Sequence, residues 1–155
     1  MAWAWTDGLG IVKIHRGDIS SMKISFVILG EPASKANSRQ LVTLARRPAF
    51  IKSRKARGYE RDALLQIPPQ CRRRLEGPVK LTMTIYYASE RPDLDESLIL
   101  DVLQDQYVGI GKNRALIQAG VYRNDRQVRE KHIYHAIDRA NPRAEIAVES
   151  GDDDD

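Results

Sequence analysis

Residues Pro78 to Tyr87 are the stretch that most limits what this chain can become. Val79, Leu81, Met83 and Ile85 fall on one side and Lys80, Thr82, Thr84 and Tyr86 on the other, the alternation of a half-buried strand. That strand runs straight into Arg91-Pro92-Asp93-Leu94-Asp95, where proline pushes its predecessor out of the helical region. On extended backbone, side chains two apart share a face, so Asp93 and Asp95 are placed to clamp one cation. Asp125, in the distant segment Asn124-Asp125-Arg126-Gln127-Val128, would arrive as a third ligand. Carboxylate oxygens suit a hard ion such as Mg²⁺, which keeps positions open for water and phosphate.

The same residues support a second reading. Asp93, followed three positions on by Glu96 and then by Leu98, Ile99, Val102 and Leu103, is a capping-box pattern. It would open an apolar helix from about Asp95 to Gln106. The two readings are compatible, since one aspartate can cap while the others bind metal. Asp101 and Asp105 project from a different helix face than Asp95 and are expected in solvent or behind the ligands.

Upstream, Ile24 to Leu29 is apolar enough for a central strand, ended by Gly30 and Pro32. A polar loop follows with Lys35 and Arg39. Leu41–Leu44 and Ala49–Ile51 then flank Ala45-Arg46-Arg47-Pro48 as a hairpin with a basic tip. Ser53 is set to cap a helix to about Leu65, exposing Lys55, Arg57 and Arg61 and stopped by Pro68 and Pro69. Between Lys35 and Arg74 stand twelve Lys or Arg against two acids, Glu60 and Asp62. That imbalance marks a phosphate-contacting surface, with Lys35, Arg39, Arg46, Arg47, Lys52, Arg54 and Lys55 as its candidates.

Downstream, Gly109-Ile110-Gly111-Lys112-Asn113 is a basic turn. It is no phosphate-binding P-loop, because Asn113 stands where Ser or Thr must hold Mg²⁺. Gln127 to Ile137 reads as a strand paired with Glu145 to Val148 across Asn141-Pro142, with His132 and His135 on opposite faces. Residues 1–21 read as an irregular extension with weak strand character at Ile11–Ile14, either an accessory arm or an over-long gene start. The domain then spans residues 22–149, and residues 150–155 form an acidic, disordered tail.

At 155 residues the chain is long enough for one domain with its own core. No apolar run reaches bilayer length, and the N-terminus lacks a secretory pattern, so a cytoplasmic protein without membrane contact is expected. The single cysteine, Cys71, excludes an intramolecular disulfide and a cysteine-rich zinc site. The net charge of +4 includes the four aspartates Asp152 to Asp155, so the rest of the chain carries +8. Nucleic acid is the partner such a body suits.

The order Arg-Pro-Asp-Leu-Asp, an apolar helix, then Asn-Asp-Arg-Gln-Val resembles the RusA family of Holliday-junction resolvases, common in phages and prophages. The segment Gly30-Glu31-Pro32-Ala33-Ser34-Lys35 to Arg39 resembles the opening of many phage relatives. The resemblance covers roughly Met22 to Glu149. It implies an α+β fold, a mixed sheet of four to six strands with two main helices. It implies a crossover-junction endodeoxyribonuclease in recombination and repair, acting on branched DNA in the cytoplasm of a bacterial host. Its cofactor would be Mg²⁺, with Mn²⁺ able to substitute, held by Asp93, Asp95 and Asp125. A homodimer fits the two equivalent strands of a four-way junction. The chain departs from the pattern at Glu96 and Asn124, and Ile99 replaces a common lysine. Lys112 is the stand-in expected for that charge. The competing expectations are a non-catalytic junction binder on the same fold and a phage structural or packaging accessory.

Overall fold

The computed structural model describes residues 2–6, 11–16, 22–34 and 37–150, the first two stretches as backbone alone. Lys35 and the residues after Ser150 lie outside it. The first strands are β1 (Ala2–Thr6), β2 (Ile11–Arg16), β3 (Met22–Leu29), β4 (Arg39–Leu44) and β5 (Arg47–Lys52), and helix α1 (Arg54–Gln66) follows. β6 (Val79–Tyr87) leads to helix α2 (Ser97–Leu103). The last strands are β7 (Gln106–Val108), β8 (Ala115–Gln118), β9 (Val128–Ile137) and β10 (Arg143–Ser150). Six strands form one mixed sheet in the order β1-β2-β3-β10-β6-β9, in which only β6 and β9 are parallel. β4–β5 and β7–β8 are separate two-stranded hairpins. The fold is α+β, as expected, and no helix among the described residues is long and apolar enough to cross a membrane.

The alternation along β6 does what the sequence asks. Val79, Leu81, Met83, Ile85 and Tyr87 are buried, together with Ile24, Phe26 and Ile28 of β3 and Ala144, Ile146 and Val148 of β10. Ala56, Tyr59 and Ala63 of α1 and Leu98, Ile99, Val102 and Leu103 of α2 complete the same core. Each large aliphatic side chain buried here contributes about 1.5–3 kcal/mol. Ser53 caps α1 by accepting from the Ala56 N–H at 3.2 Å. At the other end Gln66 clamps the helix to β3, exchanging two hydrogen bonds with the Leu29 backbone at 2.6 and 3.0 Å.

Three expectations are corrected. The N-terminal stretch is not irregular: β1 and β2 form a hairpin, and β2 pairs with β3 through Lys13–Ser25 to Arg16–Met22. Extended chain there satisfies backbone groups that the β3 edge would otherwise leave to solvent. β9 and β10 are not partners, since β6 stands between them. The cause is burial: β10 presents Ala144, Ile146 and Val148 to the core and suits a central place, whereas β9 carries charges on both faces and suits an edge. Finally, α2 is shorter than expected. The Gln106 side chain donates to the Asp101 and Gln104 carbonyls, both at 2.9 Å, and so satisfies the helix end early.

Candidate functional site

Two limbs carry the aspartates singled out in the sequence. The first is the loop between β6 and α2. Tyr87, fully buried at the end of β6, donates its hydroxyl to the Asp93 carbonyl at 3.2 Å and accepts from the Asp95 N–H at 3.1 Å. One hydroxyl therefore holds both aspartate positions. Burial raises the Tyr87 pKa, and the charges of Asp95, Glu31 and Glu96 add to the effect, so the phenol stays protonated and able to donate. The His135 ring stacks on Tyr87 at 5.0 Å. Asp95 Oδ1 accepts from the Ser97 backbone at 3.0 Å and the Ser97 hydroxyl at 2.7 Å. Its other oxygen, Oδ2, is buried without a hydrogen-bond partner. The Asp93–Glu96 capping box does not form: Glu96 occupies the N-cap position of α2 without a side-chain cap bond.

The second limb follows β8. Gly120 packs against the end of α2 so closely that a Cβ there would stand 2.4 Å from the Gln104 carbonyl carbon and 2.5 Å from the Leu103 oxygen. Val121 donates to the Leu103 carbonyl at 2.7 Å, and Tyr122, also fully buried, donates its hydroxyl to the Leu100 carbonyl at 2.9 Å. Asn124 accepts from the Arg126 N–H at 2.9 Å, opening a one-turn helix at Asp125–Gln127. Gln127 completes a capping box: Oε1 accepts from the Asn124 and Arg123 amides at 2.9 and 2.8 Å, and Nε2 donates to the Leu75 and Gly77 carbonyls at 2.7 and 2.9 Å. Asp125 sits exposed at the head of this turn, its N–H on the Gln104 side chain at 3.3 Å.

Asp125 lines an open cleft of about 380 Å³ with Leu100, Val128, Arg129, Glu130 and Lys131. Lys131 also reaches Glu96, its Nζ 2.6 Å from Oε1, and so ties β9 to the residue beside Asp95. Among the described residues no three His, Cys, Asp or Glu side chains stand together closely enough to hold a metal ion. Asp93 and Asp95 share one loop, and Asp125 stands on the other limb. The donors nonetheless suit a hard cation, being carboxylates only, and the partnerless Asp95 Oδ2 is the kind of buried oxygen that a cation satisfies.

The cations of the basic block divide in two. Arg39, Arg46, Arg47, Arg54 and Lys55 are exposed, the first three on the β4–β5 hairpin. Ala45 and Arg46 turn that hairpin with φ of 49° and 64°, left-handed backbone that holds the arginine at the tip. Lys52 is tied inward, to Glu60 at 2.5 Å and Asp101 at 3.4 Å. Burial pushes its pKa down, but those two carboxylates raise it overall. Arg72 donates to the Leu64 carbonyl at 2.5 Å and the Ala119 carbonyl at 3.2 Å. Asp105, expected in solvent or behind the ligands, is buried. It accepts from Arg74 Nη2 at 2.8 Å and the Gly120 N–H at 2.8 Å. Lys112 lies exposed between β7 and β8. No family model matches the chain, and no curated protein matches it.

Sequence reading missed Tyr87, Tyr122, Gly120 and Lys131, and quoted Gln127 in its motif without giving it a role. Gln127 alone carried a signal, three positions after Asn124 in a capping-box spacing.

Proposed function

We propose that the protein is a Mg²⁺-dependent endonuclease of branched DNA, resolving four-way junctions by phosphodiester hydrolysis. Asp93, Asp95 and Asp125 would hold the ion. The observation that carries the reading is the buried, partnerless Oδ2 of Asp95, beside the Glu96–Lys131 link to the Asp125 cleft. A bound Mg²⁺, or Mn²⁺ in its place, supplies charge neutralisation at the phosphate and a water of lowered pKa. The chain's own residues hold the rest. Ser97 fixes the Asp95 carboxylate through Oδ1, leaving Oδ2 for the ion. Tyr87 sets the backbone of both loop aspartates, and Gln127 sets that of Asn124, the residue before Asp125. Arg39, Arg46, Arg47, Arg54 and Lys55 position DNA by its phosphates without reading sequence. The motif resemblance to RusA resolvases adds a homodimer, whose two-fold axis matches the junction, and a phage- or prophage-encoded protein in the host cytoplasm.

A second reading, a junction binder without catalysis, is favoured by the separation of the carboxylates and by Ile99, which is buried and brings no cation. A labelled synthetic four-way junction with and without Mg²⁺ or Mn²⁺ decides between them. Metal-dependent nicking, abolished by Asp93→Asn, Asp95→Asn and Asp125→Asn while binding persists, is the expected result. A protein that holds the junction and cuts nothing with either metal is a binder.

A further inference from the structure

The strand that closes the cleft is irregular at one place. Val79 pairs with Val128, but the next residue, Lys80, pairs with Glu130, so Arg129 is an extra residue in β9. A bulge of this kind re-aims side chains and recurs beside active sites. Its effect can be followed along the faces. Val128 and Ile133 both pack against the core, and Lys131, opposite the buried Leu81, lies on that same face. Without the extra residue, Val128 and Lys131 would point to opposite sides. The bulge thus delivers a lysine to a core-facing position at the sheet edge and leaves Arg129 on the cleft wall. Lys131 stays half exposed, with Glu96 as its partner. Glu130 also borders the cleft, but its carboxylate is engaged by His132 at 2.9 Å and Lys80 at 3.8 Å rather than by Lys131. Two cations, Arg129 and Lys131, therefore line the cleft together with the carboxylates of Asp125 and Glu130.

We infer that Arg129 and Lys131 form a second phosphodiester-binding subsite, at the bulge, with Glu96 holding Lys131 in place until a nucleic-acid phosphate takes it over. This rests on the proposed reading of the site as a nucleic-acid site and adds the residues that meet the phosphate there. Glu96 and the phosphate compete for one ammonium group, which gives the inference a sign that a merely structural ion pair lacks.

The test is binding of a fluorescein-labelled four-way junction in EDTA, followed by anisotropy from 50 to 300 mM salt. Metal chemistry is thereby kept out of the readout. Lys131→Met and Arg129→Met should each flatten the slope of log K against log salt by about 0.9, the loss of one duplex phosphate contact. Lys131→Arg should keep the slope. Glu96→Gln should tighten binding by about two- to five-fold, the release of a partly exposed ion pair. If Lys131→Met fails to fold, the Glu96→Gln and Arg129→Met results stand in its place. Unchanged slopes together with no tightening in Glu96→Gln overturn the subsite even where the wild type binds and cuts junctions. A wild-type protein that binds no DNA overturns the subsite and the proposed function together.

Discussion

The two limbs that present the aspartates are built to different standards. The Asp125 limb is fastened all along its length, by Gly120 against α2, by Val121 and Tyr122 to backbone carbonyls, and by the four hydrogen bonds of Gln127. The Asp93–Asp95 loop hangs from the Tyr87 hydroxyl, with Glu31 holding the Ala88 N–H at 2.9 Å behind it. The contrast assigns roles. Under the proposed function, the fastened limb would fix where a ligand must come, and the hung loop would make the adjustment that brings its carboxylates onto a shared ion.

Gly120→Ala attacks the fastened limb where it has no slack, since a methyl group would overlap backbone atoms of α2. We expect a loss of about 3 kcal/mol in urea unfolding. A loss below ~1 kcal/mol would mean that the limb can retreat, and the contrast would fail. Gln127→Leu removes four hydrogen bonds at once, some of which water can replace, and should cost about 2 kcal/mol. It should lower junction cleavage more than junction binding; equal effects on both would deny that Gln127 acts by placing Asp125. Tyr87→Phe removes a single hydroxyl and should cost only about 1 kcal/mol. Its mark should be a raised Mg²⁺ requirement for cleavage, because the loop loses the hydroxyl that holds the backbone of both aspartates. An unaltered metal titration would show that the loop is positioned by something other than Tyr87.

What could be read from the sequence was local. The β6 strand, the Ser53 cap and the β4–β5 hairpin each announce themselves within a dozen residues, because alternation, caps and turns are short-range signals. The spacing of Asp93, Asp95 and Asp125 picked out candidates, but not how the folded chain places them. Partnerships across the chain were not legible. Arg74 looks like surface charge in a basic run, and Asp105 like the polar side of a helix. Only the folded structure, which joins them across 31 positions, shows Arg74 paired with a buried carboxylate. Lys131 looks like one cation among several on an edge strand. Its meaning depends on the bulge at Arg129, which arises from the register with β6 and leaves no trace in composition. The β9–β10 error has the same origin: nearness in sequence suggested a hairpin, and burial placed β6 between them.

The position of β10 has a consequence for how the chain acquires its fold. Its residues, Arg143 to Ser150, come last among the described strands, yet they lie between β3 and β6 and hydrogen-bond to both. Ser150 even reaches back to the Met22 N–H at 2.7 Å, across 128 positions. On the ribosome, β3 and β6 are made long before the strand that joins them. Until it emerges, each offers an open, apolar edge that can pair with the wrong chain. Closing the sheet is thus a late event with a large loop-closure cost, which makes folding slow for a domain of this size. Synthesis of the last strand, rather than of either aspartate limb, sets the moment at which the sheet can close.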